Sequence, residues 1–179
     1  GEVSSGEDVG QADDEGKVEL VVGDVNDDAD VIITREGYRT ETRKLGSLNA
    51  ENEDISMVPA KRHAFVSNRS GQYDLYAIDA DGQNEKLLLE ATGKEREIPY
   101  IAPHPTRDAI AYISSRDGDT NKDGFILDGL FIVTTNGSDT YKVTRSEQVQ
   151  VVGWSGNKLI YVSVIEGVSA GNSQRSKLT

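Results

Sequence analysis

Ala64-Phe65-Val66-Ser67-Asn68-Arg69, Ala111-Tyr112-Ile113-Ser114-Ser115-Arg116 and Ile160-Tyr161-Val162-Ser163 are three versions of one strand. Phe65 and Tyr112 lie 47 positions apart, and Tyr112 and Tyr161 lie 49 apart. After the first comes Tyr73-Asp74-Leu75-Tyr76-Ala77-Ile78-Asp79, running into Ala80-Asp81-Gly82. After the second comes Gly129-Leu130-Phe131-Ile132-Val133-Thr134, running into Thr135-Asn136-Gly137. Period-two alternation ending in Asp-Gly or Asn-Gly reads as antiparallel hairpins, with Asp79, Asp81 and Gly82 as turn residues. A further short strand follows each turn, over Lys86 to Leu89 and Tyr141 to Thr144, and Ser176 to Thr179 looks like a strand of the third unit.

Self-similarity at this spacing, with about four short strands per unit, is the pattern of propeller blades. Pro99-Tyr100-Ile101-Ala102-Pro103-His104 precedes the second unit, and Val151-Val152-Gly153-Trp154-Ser155-Gly156-Asn157 precedes the third. On these residues the chain resembles TolB-like, WD-type β-propeller repeats over 62–179. Trp154-Ser155 matches that family's Trp-Ser pattern, and Ala102-Pro103-His104 takes the Trp-Ser-Pro place with Trp and Ser replaced. The expected fold is all-β: a partial β-propeller of about two and a half four-stranded blades. Because such propellers close with more blades, the resemblance implies a fragment of a larger propeller. Tyr73, Tyr76, Tyr112 and Tyr161 are expected between blades rather than in a ligand-stacking box.

Between the second unit's strands stands Asp117-Gly118-Asp119-Thr120-Asn121-Lys122-Asp123-Gly124-Phe125-Ile126-Leu127-Asp128. Oxygens at alternate positions, followed by a glycine that permits a sharp bend, suit a hard cation such as Ca2+. Asp119, Asn121 and Asp123 would supply side-chain ligands and Phe125 a backbone carbonyl. Leu130 occupies the place of the closing Glu of an EF-hand loop, so Asp117 or Asp128 would substitute. The hairpin also resembles calcium-loaded insertions of TolB-like propellers. Asp24-Val25-Asn26-Asp27-Asp28-Ala29-Asp30 has similar alternation without the glycine and reads as an acidic loop.

Residues 1–16 are small and acidic, with little apolar surface to offset ordering, and read as a flexible acidic tether. Residues 17–61 hold short β-type runs at Val18 to Val22, Ala29 to Thr34, Tyr38 to Leu45 and Ile55 to Val58. Gly37-Tyr38 after a strand, and Ile55-Ser56-Met57-Val58-Pro59 as an exit strand, resemble a PEGA-type or carboxypeptidase-regulatory-like β-sandwich module. Such modules imply accessory interaction or spacer roles.

The net charge of −12 is carried mostly by residues 1–61, which hold −10, against −2 for 62–179. An acidic chain argues against a nucleic-acid partner, because phosphate binding needs basic surface. The chain has no cysteine, which excludes disulfides and thiolate metal sites. His63 and His104 lack neighbours at ligand spacing and are read as surface or packing residues. Gly153-Trp154-Ser155-Gly156-Asn157 lacks the Gly-x-Ser-x-Gly spacing of a nucleophile elbow. The expectation is a non-enzymatic, extracytoplasmic interaction or structural protein with a protein partner, and membrane association only through a lost anchor. The alternative is the substrate-gating propeller of a larger α/β-hydrolase-type peptidase whose catalytic domain lies elsewhere.

Overall fold

A computed structural model of the chain describes residues 2–5, 8–21, 23, 26–48 and 53–179. It is all-β: fourteen described strands form four antiparallel sheets, and the described residues contain no α-helix. The chain divides into two compact units, residues 1–61 with Asp79–Asp81, and residues 62–78 with 82–179.

In the first unit one sheet has the order β2-β1-β3-β4, from β1 (Glu2–Ser5), β2 (Asp8–Gln11), β3 (Asp30–Thr34) and β4 (Glu41–Lys44). Two strands therefore stand where a flexible tether was expected. Val3 pairs with Ile33, and Val3, Val31 and Ile33 are buried together, so the short apolar alternation offsets the ordering cost. The expected runs at 18–22 and 55–58 do not pair as strands in their described residues. Their Leu20, Ile55 and Met57, with Leu45 and Leu48, pack on this cluster instead. In the acidic loop, Asp24 and Val25 lie outside the described residues. Asn26 makes a turn in which its Oδ1 accepts the Asp28 N–H at 2.9 Å.

The second unit holds three meander sheets. Sheet 2 is β5-β6-β7, from β5 (Arg62–Ser67), β6 (Asp74–Asp79) and β7 (Lys86–Leu89). Sheet 3 is β8-β9-β10-β11, from β8 (Tyr100–Pro103), β9 (Ala109–Ser114), β10 (Asp128–Thr134) and β11 (Thr140–Ser146). Sheet 4 is β12-β13-β14, from β12 (Val149–Ser155), β13 (Lys158–Val164) and β14 (Ser176–Leu178). Of the three, sheet 3 alone shows four strands among the described residues. Asp79, expected in a turn, is the last residue of β6, and the turn itself falls on 80–82 with Gly82 at φ 78°.

Sheet 3 is covered on both faces. Ile110, Tyr112, Phe131 and Val133 pack against Leu75, Ala77 and Leu88 of sheet 2. The alternate residues Ala111, Ile113, Leu130 and Ile132 pack against Val149 and Val151 of sheet 4, with Leu159 and Tyr161 alongside. Continuous burial along β9 and β10 is what two-sided covering demands of a strand. Trp154 adds a tie: its Nε1–H donates to the Ala102 carbonyl at 3.2 Å, and its ring lies 4.6 Å from that of His104.

A candidate binding cleft between two long hairpin loops

The stack carries its long loops on corresponding connections. The loop joining β5 to β6 has six residues, 68–73, whereas β9 to β10 takes thirteen, 115–127, and β13 to β14 takes eleven, 165–175. Between these two long loops lies a cleft of about 600 Å³, reached by Arg96, Asn121, Phe125, Glu147, Val168 and Arg175 among others.

The hairpin 117–128 contains every sequence-predicted site residue. Asp117 pairs with Lys142, and Asp119 accepts from Arg145 at 2.8 Å with Lys142 at 3.6 Å. Arg145 holds the Asp119 carboxyl below its ordinary range and is itself raised by that pairing, while Asp117 raises Lys142. The Asn121 Oδ1 accepts the backbone N–H groups of Asp123 and Phe125, both at 2.9 Å, so the amide shapes a tight turn. Gly124 completes that turn at φ 83°, a conformation glycine adopts without strain. The Asp123 and Phe125 side chains are exposed, Phe125 by 65%. Asp128, buried at the start of β10, accepts from Arg96 at 3.0 Å. Burial pushes its carboxyl up, and Arg96 only partly opposes this.

These oxygens do not form a cage as folded. Three of the four carboxylates are matched to cations, and the Asn121 oxygen is spent on backbone donors. Among the described residues no three Asp, Glu or His side chains are grouped to hold a metal ion. The hairpin reaches its shape with ion pairs and a side-chain turn, and a cation bound between Asp117 and Asp119 would take the place of Lys142 and Arg145.

Sequence reading missed the residues that build the cleft. Glu147, between β11 and β12, accepts from the Asn121 amide at 2.8 Å through Oε1 and pairs with Arg175 through Oε2, tying both loops to one carboxylate. Lys142 and Arg145 reach one hairpin face because of a bulge. Leu130 pairs with Thr144 but Phe131 with Lys142, leaving Val143 as the extra residue. An unbroken strand would place positions three apart on opposite faces.

Both histidines lie away from the cleft: His63 is exposed on β5, while His104 is buried. The His104 Nδ1 accepts backbone N–H groups of Thr106 and Arg107 at 3.1 and 3.0 Å, so it staples a turn. The chain matches no protein-family model, no curated protein and no solved structure.

Proposed function

We propose that this chain is a non-enzymatic interaction protein acting outside the cytoplasm, a partial propeller of TolB-like repeats that presents a loop cleft to a protein partner. The observation that carries this is the joining of two long loops by Glu147 into one cleft with Phe125 exposed at it. An exposed aromatic on a turn held by four hydrogen bonds, two to the Asn121 Oδ1 and two between backbone groups of residues 121, 124 and 125, is already ordered. It can therefore bury area at low entropic cost, as binding anchors do. The charged side chains along the cleft are of both signs, which suits a peptide carrying both.

The test is a peptide-display selection on the immobilised chain, followed by titration of the selected peptide. Phe125→Ser should weaken its affinity by about tenfold or more, roughly 1.4 kcal/mol, the size expected of an anchor residue. Affinity unchanged by both Phe125→Ser and Glu147→Gln would place the contact elsewhere.

Calcium enters this proposal on the spacing of Asp119, Asn121, Asp123 and Gly124 alone, against the ion pairs that occupy Asp117 and Asp119. A ligand that binds only the folded chain raises stability by about 2.7 kcal/mol at a hundredfold excess over Kd. A melting midpoint that rises with calcium, falls with chelator and is indifferent to calcium in Asp123→Ala supports the metal. A midpoint that calcium leaves unchanged in the wild type removes calcium from the function and leaves the cleft.

A further inference from the structure

Sheets 2 and 3 repeat one strand in one register, which makes a difference between them at a single place informative. In both, a bulge follows the leucine of the central strand. Leu75 pairs with Leu89 and Tyr76 with Leu87, just as Leu130 pairs with Thr144 and Phe131 with Lys142. Leu75 therefore corresponds to Leu130, and two positions earlier Tyr73 corresponds to Asp128. Side chains alternate along a strand, so Asp128 faces sheet 4 together with Leu130. Sheet 2 has a tyrosine at this place and sheet 3 a short carboxylate, beside which a cavity of about 390 Å³ opens against Val149 and Val151 of sheet 4.

The lining of this cavity is of two kinds. Ile98 and Tyr100 give it an apolar side that is largely uncovered, at 64% and 54% exposure. The charged side is acidic: among the described lining residues Glu97 and Asp128 carry charge and none is basic. The Asp128 Oδ1 is taken by Arg96 at 3.0 Å, and the Arg96 Nε lies 3.8 Å from Glu97, so one cation serves both carboxylates. Burial still holds the Asp128 carboxyl above its ordinary range, which means that Arg96 alone does not compensate its charge. Arg96 lines the loop cleft while Asp128 lines the cavity, and Gln148 lines both. The two hollows are therefore neighbours that share a wall.

We infer that this cavity is a side pocket of the loop cleft and takes one lysine side chain of the bound peptide, its methylene stem along Ile98 and Tyr100 and its ammonium at Glu97 and Asp128. The proposal rests on the peptide-binding reading above and adds a sequence requirement to it. An apolar side chain would leave the two carboxylates without further compensation, and an acidic one would add a like charge. A guanidinium is matched best by a carboxylate with both oxygens in reach, whereas Arg96 already holds the Asp128 Oδ1. Lysine lays a long stem on apolar surface and ends in a compact charge, which is the order of surfaces this cavity offers. The wall shared with the cleft is why the occupant belongs to the same peptide.

Titration of Nα-acetyl-lysine N-methylamide into the isotope-labelled chain tests it, read by NMR on the backbone amides of Ile98, Tyr100 and Val149. Those signals should shift to saturation in the millimolar range. The norleucine amide, which keeps the stem and lacks the ammonium, should bind about tenfold more weakly or worse. Asp128→Asn should weaken the lysine probe by a similar factor. So should Glu97→Gln, a change at an exposed side chain that leaves the fold in place. No shift up to tens of millimolar, or equal binding of the lysine and norleucine probes, overturns the inference. Much tighter binding of n-pentylamine than of the lysine amide overturns it in favour of a free amine. Peptides selected on the chain separate this proposal from the cleft reading. A selected peptide that loses nothing when its lysines become norleucine removes the pocket and keeps the cleft. A lysine probe that binds as described, with no peptide selected, keeps the pocket's chemistry and removes the cleft reading.

Discussion

Asp119 and Asp128 stand in the same hairpin and are pushed in opposite directions. Arg145 lowers Asp119, so its contribution to stability is complete above the unfolded carboxyl pKa of about 3.9 and is lost as pH falls through the lower folded value. Burial raises Asp128, so its contribution is present below that unfolded value and is lost as pH rises through the higher folded one. Denaturant unfolding of Asp119→Asn should show a deficit at neutral pH that narrows as pH falls below the unfolded value of about 3.9. For Asp128→Asn the wild type should instead gain on the variant as pH falls. Equal pH profiles for the two variants would mean that neither carboxyl is held as described. The oxygen spacing of this hairpin was plain in the sequence. Its cations were not, because Lys142 and Arg145 lie 23 and 26 positions beyond Asp119 and share a face only through the bulge at Val143.

Strands were legible wherever alternation ran for six or seven residues, as in β9 and β10, where every second side chain has a different sheet to meet. They were illegible in β1 and β2, four residues each, where Val3 and Ser5 alone turn inward from Glu2–Ser5. The opposite error arose at Val18 to Val22, since an apolar run can cover a sheet without joining it, as Leu20 does. The same facing rule separates core from surface leucines. Leu130→Ala removes a side chain with no exposed area between two sheets and should cost about 2–5 kcal/mol in chemical denaturation. Leu87→Ala, on the outer face of sheet 2, should stay within about 0.5 kcal/mol. A small loss for Leu130→Ala would contradict the sandwiching of sheet 3.

At the scale of the whole chain, the repeat spacing carried the sheet order, because consecutive meanders need no long-range pairing. What it did not carry was the strand complement of sheet 2, which shows three strands among the described residues where a four-stranded blade was expected, whereas sheet 4 belongs to the unit expected to be incomplete. The loops that make the cleft also escaped the repeat, being the places where the units differ most in length. Acidic charge is concentrated in residues 1–61, while residues 62–179, which hold the stack, are near neutral.

The one-way facing of Tyr112 and Tyr161, each towards the preceding sheet, also bears on how such a chain grows. A symmetrical contact ends with the pair that makes it, but a directional one is left open after every addition. Duplicating a stretch of 47 to 49 codons in such a gene would yield a longer protein whose new joint needs no fresh mutation. Ancestry by tandem copying would then be written in which side of the strand keeps its aromatic ring.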